Sequence, residues 1–287
     1  MDLTNYTEVT ALLRRHGFHF SKSLGQNFLT AAWVPERIAE EAALSPADGV
    51  LEVGPGVGCL TEQLAARAGK VLCLELDRRL ESVLAETLAR RDNVEIVFAD
   101  AAKADLPALC REHLGDRPRK VCANLPYNVT TPLLTAFLEA ECFESVTVMV
   151  QKEVAERMCA GPGSKDYGAF TLLVDWYAQP ELLFTVPPHC FVPQPKVTSA
   201  VVRLRRRAEP PAAVEDEALF FRTVRAAFAQ RRKTLSNALM AGFSALDRAA
   251  AEACLAEAGL DPRVRGEALS LLQFAALSDA LFRKFDK

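Results

Sequence analysis

Val50-Leu51-Glu52-Val53-Gly54-Pro55-Gly56-Val57-Gly58 decides how this chain is read. Four residues of strand character run straight into three glycines, and Leu60 to Ala68 then carries apolar residues at helical spacing. A strand that opens into a glycine-rich turn and a helix lets a ligand approach the backbone closely, because glycine has no Cβ to hold it off. The dinucleotide fingerprint Gly-x-Gly-x-x-Gly wants glycine at 59, where this chain has Cys59. That disfavours a nicotinamide dinucleotide without excluding it.

Working outward, Val71 to Leu76 reads as a second strand, followed by a long helix to about Arg90. Val94 to Phe98, Lys120 to Ala123 and Val146 to Val150 read as further strands, with a helix over Pro132 to Ala140. Strands that alternate with helices predict a parallel sheet with helices on both faces. Gln151 to Cys159 and Ala169 to Tyr177 read as helices, and Glu181 to Val186 and Val197 to Leu204 as two more strands. Four prolines within Pro187 to Pro195 predict an extended, rigid loop between those two. After Arg207, Ala208-Glu209-Pro210-Pro211 reads as a linker, and the helical stretches 215–228, 233–240, 248–258 and 270–285 follow. The expected organisation is an α/β domain, a mostly parallel seven-stranded Rossmann-like sheet, over residues 1–207, and a small all-helical domain over 208–287.

The chain has 287 residues, 50% hydrophobic and 25% charged, an ordinary globular balance. No apolar run approaches the ~20 residues that span a bilayer. Met1 to Thr10 is polar and lacks the pattern of a secretory signal. A cytoplasmic location without membrane contact is therefore expected. The eight cysteines are scattered with no Cys-x-x-Cys pair, and the four histidines have no ligand-like spacing. Reduced thiols and no metal site are expected. The net charge of −3 argues against a surface coated in positive charge. Charge is nevertheless local: Lys196, Arg203, Arg205, Arg206, Arg207, Arg222, Arg225, Arg231, Arg232 and Lys233 face only Glu209, Glu215, Asp216 and Glu217 in the same stretch. Such a run suits a phosphate-binding face, although a solvated helix face gives the same pattern.

Ligands of open α/β sheets bind at the carboxyl ends of the strands. Glu75 ends the second strand 21 positions beyond Gly54, where a carboxylate can hold ribose hydroxyls. Asp100 ends the third and can accept from an adenine amine. The fourth runs into Asn124-Leu125-Pro126-Tyr127. The Asn124 side-chain oxygen and the Leu125 carbonyl can both accept from an exocyclic amine, and Tyr127 can stack on a base.

This order resembles the class I methyltransferases that use S-adenosyl-L-methionine, and the Asn-Leu-Pro-Tyr form is similar to that of the rRNA adenine dimethyltransferases. The likeness extends over Ser23-Leu24-Gly25-Gln26-Asn27-Phe28-Leu29, the middle segments Val150 to Arg157 and Ala160 to Gly168, and the closing motif Phe191 to Val202. It is closest to the bacterial 16S rRNA adenine N6-dimethyltransferase family. The resemblance implies two methyl groups on each of two adjacent adenosines near the 3′ end of 16S rRNA, in the 30S subunit or its precursor, by a monomer. It implies cofactor contacts from Gln26, Asn27, Leu29, Gly54, Gly56, Glu75, Leu76, Asp100, Ala101 and Asn124. Asn124 and Leu125 would present the target amine, and Tyr127 and Phe191 would sandwich the base. The basic residues above would meet RNA phosphates.

Two other readings share much of this pattern. The resistance-type 23S rRNA adenine N6-methyltransferases have the same fold and chemistry, but the Gly161-Pro162-Gly163-Ser164-Lys165 loop and the long closing motif favour 16S. A non-catalytic assembly factor would be expected to lose Asn124, Glu75 or the glycine turn, and all three are present.

Overall fold

The computed structural model describes residues 1–19 and 26–285. Ser23, Leu24 and Gly25 of the N-terminal motif lie outside the described residues. The chain runs α1 (Tyr6–Arg15), β1 (Phe28–Leu29), α2 (Trp33–Glu41), β2 (Gly49–Val53), α3 (Cys59–Ala65), β3 (Lys70–Glu75), α4 (Glu81–Thr87), β4 (Val94–Phe98), α5 (Leu106–Leu114), β5 (Arg119–Asn124) and α6 (Thr130–Glu139). It continues with β6 (Ser145–Gln151), α7 (Lys152–Met158), α8 (Ala169–Tyr177), β7 (Ala178–Val186), β8 (Phe191–Val192) and β9 (Ser199–Arg206). Four helices end it: α9 (Glu217–Ala229), α10 (Leu235–Gly242), α11 (Arg248–Glu257) and α12 (Leu271–Phe285).

Seven strands form one sheet in the order β4-β3-β2-β5-β6-β9-β7. The β4-β3-β2-β5-β6 pairings are parallel, with Leu51 opposite both Leu72 and Val121, and β9 runs antiparallel to β6. Strand β2 is buried along its whole length, as are most of β3 and β6 and the stretch Val121 to Ala123 of β5. Helices cover both faces of parallel strands, so these strands read as continuous apolar runs rather than alternating ones. A second, two-stranded sheet pairs β1 with β8, Leu29 opposite Phe191.

The chain divides into two compact units, residues 1–155 with 180–206, and residues 156–179 with 207–287. The sequence reading placed a linker after Arg207, and the compact units change at Arg206/Arg207. Residues 156–179, read there as part of the first domain, group with the C-terminal helices. The reason is visible in the second unit's core, where Tyr167, Leu172 and Trp176 are buried with Phe220, Leu239 and Phe274. Trp176 stacks on Phe220 with ring centroids 4.4 Å apart.

Local chemistry explains where elements differ from expectation. The long helix expected up to Arg90 is broken into a 3-10 turn, Arg78–Leu80, and the short α4. Asp77 accepts the Arg79 N–H and sets that turn. Helix α5 was not anticipated. Pro107 falls in its first turn, where a missing N–H costs nothing, and Asp105 caps the Ala108 N–H. The proline-rich loop is not wholly extended, since Pro188–Cys190 makes a 3-10 turn and β8 pairs with β1. No helix among the described residues is long and apolar enough to cross a membrane.

Trp176 lies at the centre of the second unit's core, so Trp176→Ala is expected to cost about 3–5 kcal/mol. Denaturant unfolding followed by far-UV circular dichroism checks this; a loss below about 1 kcal/mol would mean that the core closes without the indole.

Candidate active site

The parallel strands end along one edge, and a cleft opens there with about 1260 Å³ of empty space, its open mouth included. Every cofactor-binding residue expected from the sequence lines it: Gln26, Asn27, Leu29, Gly54, Gly56, Glu75, Leu76, Asp100, Ala101 and Asn124. Leu125 and Tyr127 line it too. Phe191 does not.

The floor is the glycine turn. Gly54 has φ +72° and Gly56 φ +62°, torsions that side chains disfavour. A Cβ on Gly56 would also sit 3.1 Å from the Phe28 ring, and one on Gly54 would face Pro126 at 3.9 Å. The turn therefore faces the Asn-Leu-Pro-Tyr segment, with bare backbone where a side chain would reach Pro126.

Carboxyls and amides line the walls. Glu75 is buried, which raises its pKa above the usual carboxylate range, while N–H groups of Asp77 and Gly56 pull it back. Asp100 accepts the Ala102 N–H through Oδ1 and pairs with Lys103 through Oδ2. Glu52, two residues before Gly54, is 1% exposed, and the Cys73 thiol donates to its Oε2 at 3.6 Å. Burial without a cationic partner pushes Glu52 up to about 7. Among the lining residues three are acidic and none is Lys, Arg or His. That balance suits a positively charged ligand.

The reactive end is built on β5. Asn124 Nδ2 donates to the Asn27 carbonyl at 3.2 Å, which leaves Oδ1 as the acceptor of that amide. The Leu125 N–H donates to Met149 O and extends the β5–β6 ladder by one residue, fixing the peptide. Pro126 O accepts from Val129 N and Thr130 Oγ1, closing the turn into α6. The Tyr127 hydroxyl lies 2.5 Å from Ser199 Oγ, and burial raises its pKa. Ser199 begins β9, so the closing motif meets the tetrapeptide through this hydroxyl.

Three results depart from the sequence reading. Phe191 is 2% exposed and sits in the apolar core with Leu29. Its pairing beside Leu29 makes it a support for the strand that enters the cleft, not a wall of it. Much of the basic stretch is engaged within the protein: Arg203 with Glu181 and Glu41, Arg205 with Glu181, Arg206 with Glu141, Arg207 with Asp175, and Arg231 with Glu267. Arg222 lies over the Phe243 ring at 4.4 Å. Lys196, Arg225, Arg232 and Lys233 are exposed and make no ion pair among the described residues. Finally, Glu52, Asp77 and Ser199 were not singled out as site residues. An acidic residue inside an apolar strand was a signal for Glu52; nothing local marked the other two.

The sheet order, the glycine cradle and the carboxylate at the end of β3 define a class I methyltransferase, with donors and charge that fit S-adenosyl-L-methionine. Residues 17–281 match the model of the family described as ribosomal RNA adenine dimethylase, and the chain belongs to that family. It is 48% identical over its whole length, and over 99% of the relative, to ribosomal RNA small subunit methyltransferase A of Geobacillus kaustophilus (strain HTA426). With the protein of that name from Shouchella clausii (strain KSM-K16) it shares 47% identity, covering 100% of this chain and 98% of that one. Among solved structures, the 23S rRNA methyltransferase ErmE aligns with TM-score 0.66 and 32% identity, over 89% of this chain and 99% of that one. A dimethyladenosine transferase from Plasmodium falciparum aligns with TM-score 0.74 and 24% identity, over 87% and 95%, and supports the fold.

Glu52 offers a test of the cleft's charge. Because its folded pKa lies above the ordinary carboxylate range, the folded chain holds the proton more tightly, and stability falls as pH rises through about 7. Glu52→Gln is expected to lose that slope. Its stability relative to the parent should grow between about pH 5 and pH 8, by on the order of 3 kcal/mol. Urea unfolding of both proteins across that range checks this, and parallel pH profiles would contradict it.

Proposed function

We propose that this chain transfers methyl groups from S-adenosyl-L-methionine to N6 of two adjacent adenosines near the 3′ end of 16S rRNA, two on each, during assembly of the small ribosomal subunit. The observation that carries the reading is the Asn124 amide in the cleft lining, its Nδ2 occupied by the Asn27 carbonyl. Relatives named for the small subunit match the full length at higher identity than the 23S enzyme does, which supports 16S over 23S.

When bound, the cofactor supplies an electrophilic methyl on a sulfonium. Gly54 and Gly56 give it bare backbone, Glu75 accepts its ribose hydroxyls, Asp100 accepts from its adenine amine, and Gln26, Asn27, Leu29, Leu76 and Ala101 complete the walls. The chain's further task is the nucleophile, since the N6 lone pair of adenine is delocalised into the ring. Asn124 Oδ1 and the Leu125 carbonyl draw the amine hydrogens out of the ring plane and aim the lone pair. Positive charge developing on N6 strengthens both contacts in the transition state. Tyr127, held by Ser199, offers a ring face on which the extruded base stacks. Phe191 supports β1 from below, so it acts on the base only through that segment. Lys196, Arg225, Arg232 and Lys233 are the cations left exposed for RNA phosphates. A monomer acting on the 30S subunit or its precursor in the cytoplasm is consistent with these features.

Asn124→Ala is expected to keep cofactor binding within a few-fold while turnover falls at least about 100-fold. Calorimetric titration with S-adenosylhomocysteine and steady-state methylation separate the two effects, and near-parental turnover would remove the assignment. The reading as a whole is tested on 30S and 50S particles from a strain lacking this protein. Labelled cofactor is expected to mark two adjacent adenosines near the 3′ end of 16S rRNA; label on 50S alone would favour the 23S alternative.

A further inference from the structure

Asp77 has no role in the reading above, yet it joins two parts of the site. It is 6% exposed. Its backbone N–H donates to Glu75 Oε1 at 2.8 Å, and its Oδ2 accepts from Gln26 Nε2 at 2.8 Å. Arg79 closes on both of its oxygens, Nε to Oδ1 at 2.7 Å and Nη2 to Oδ2 at 2.6 Å. A two-pronged guanidinium contact of this kind is among the stronger and more directional hydrogen-bonded pairs. Arg79 also reaches the N-terminal segment, through Nη1 to the His19 carbonyl at 3.4 Å and over the Phe18 ring at 5.2 Å.

The contacts make one continuous path. Glu75 is tied to Asp77, Asp77 to Gln26, Gln26 is covalently joined to Asn27, and the Asn27 carbonyl holds the Asn124 amide. The carboxylate at the ribose end and the acceptor at the amine end thus share a frame that passes through one buried aspartate. Arg79 balances the charge of Asp77, which otherwise stands beside Glu75 as a second buried acid.

We propose that Asp77, clamped by Arg79, is a positioning residue that sets cofactor affinity at Glu75 and, through Gln26 and Asn27, the aim of the Asn124 amide. This rests on the proposed roles of Glu75 and Asn124. Replacing Asp77 by Asn takes one acceptor from Arg79 whichever oxygen becomes the amide nitrogen, takes that of Gln26 as well when it is Oδ2, and removes the charge from the bonds that remain.

The test uses the full chain. S-adenosylhomocysteine affinity is measured by calorimetry, kcat at saturating cofactor on 30S particles, and the thermal midpoint by scanning, for Asp77→Asn, Arg79→Gln, Gln26→Ala and Glu75→Gln. Asp77→Asn is expected to weaken binding roughly ten-fold and also to lower kcat at saturation, with a far smaller change in thermal midpoint. Arg79→Gln and Gln26→Ala should move in the same direction, and Asp77→Asn combined with Gln26→Ala should be less than additive. A purely structural Asp77 would shift the midpoint and leave kcat of the folded fraction intact, and that result overturns the proposal. So does parental binding and kcat in Asp77→Asn while Glu75→Gln binds weakly. Parental binding in Glu75→Gln instead defeats the ribose assignment, a separate failure. If Asp77→Asn does not fold, Arg79→Gln and Gln26→Ala decide the matter by the same readings.

Discussion

Between β2 and β5 the chain winds away in opposite directions, and that reversal makes the site. From β2 the next strands in sequence, β3 and β4, lie to one side, while β5 and β6 lie to the other. The loops leaving β2 and β5 must therefore diverge, and a crevice opens above the two strand ends. Parallel pairing puts all the carboxyl ends on the same edge. Gly54, Glu75, Asp100 and Asn124 are far apart in sequence, and each falls on this edge because it follows or ends its strand. Gly54 faces Pro126 across the reversal point, with space between them that a Cβ would fill.

The cleft is built against stability. Glu52 and Glu75 are buried carboxyls with no ion pair among the described residues, and two glycines on its floor adopt left-handed torsions. Burial of an acid without a cationic partner is costly. A cationic ligand offsets that cost, so the acidic lining favours a sulfonium over the neutral thioether left after transfer. Asp77 is managed differently, since Arg79 holds its pKa below the usual carboxylate range. The distinction fits their places: Asp77 anchors the frame, whereas Glu52 and Glu75 face the ligand space.

The sheet was legible because parallel strands buried on both faces are short apolar runs, and each is followed by a residue with chemistry of its own. The strand-end residues that line the cleft were legible for the same reason, since a strand end needs no knowledge of long-range packing. Phe191 was not. Its proline-rich neighbours suggested an extended, rigid loop, but Phe191 pairs with Leu29, far away in the sequence, and its ring is buried. The basic run misled in the same way. Its partners Glu41, Glu141 and Glu181 lie outside the stretch in which charges were weighed, so the arginines looked free. Asp77 hid behind a helix expected to begin right after β3, whereas its side chain serves the turn, Arg79 and Gln26 together.

Under the proposed mechanism the site needs acceptors for the target amine and no base, and the chemistry explains why that suffices. No histidine or lysine lines the described cleft, and Glu52 and Glu75 belong to the glycine turn and the end of β3, not to the tetrapeptide. An aromatic amine that has gained a methyl on its nitrogen is a strong acid, so water removes its proton without help. What water cannot do is pull the lone pair out of conjugation before transfer. That requires two acceptors fixed in direction. The ladder bond of the Leu125 N–H holds the residue that carries the second oxygen, and the Asn27 carbonyl holds the Asn124 amide. In the proposed mechanism rigidity at these two oxygens is the catalytic resource, which accounts for a segment placed at the end of the central strand with its one side-chain member tied at the nitrogen.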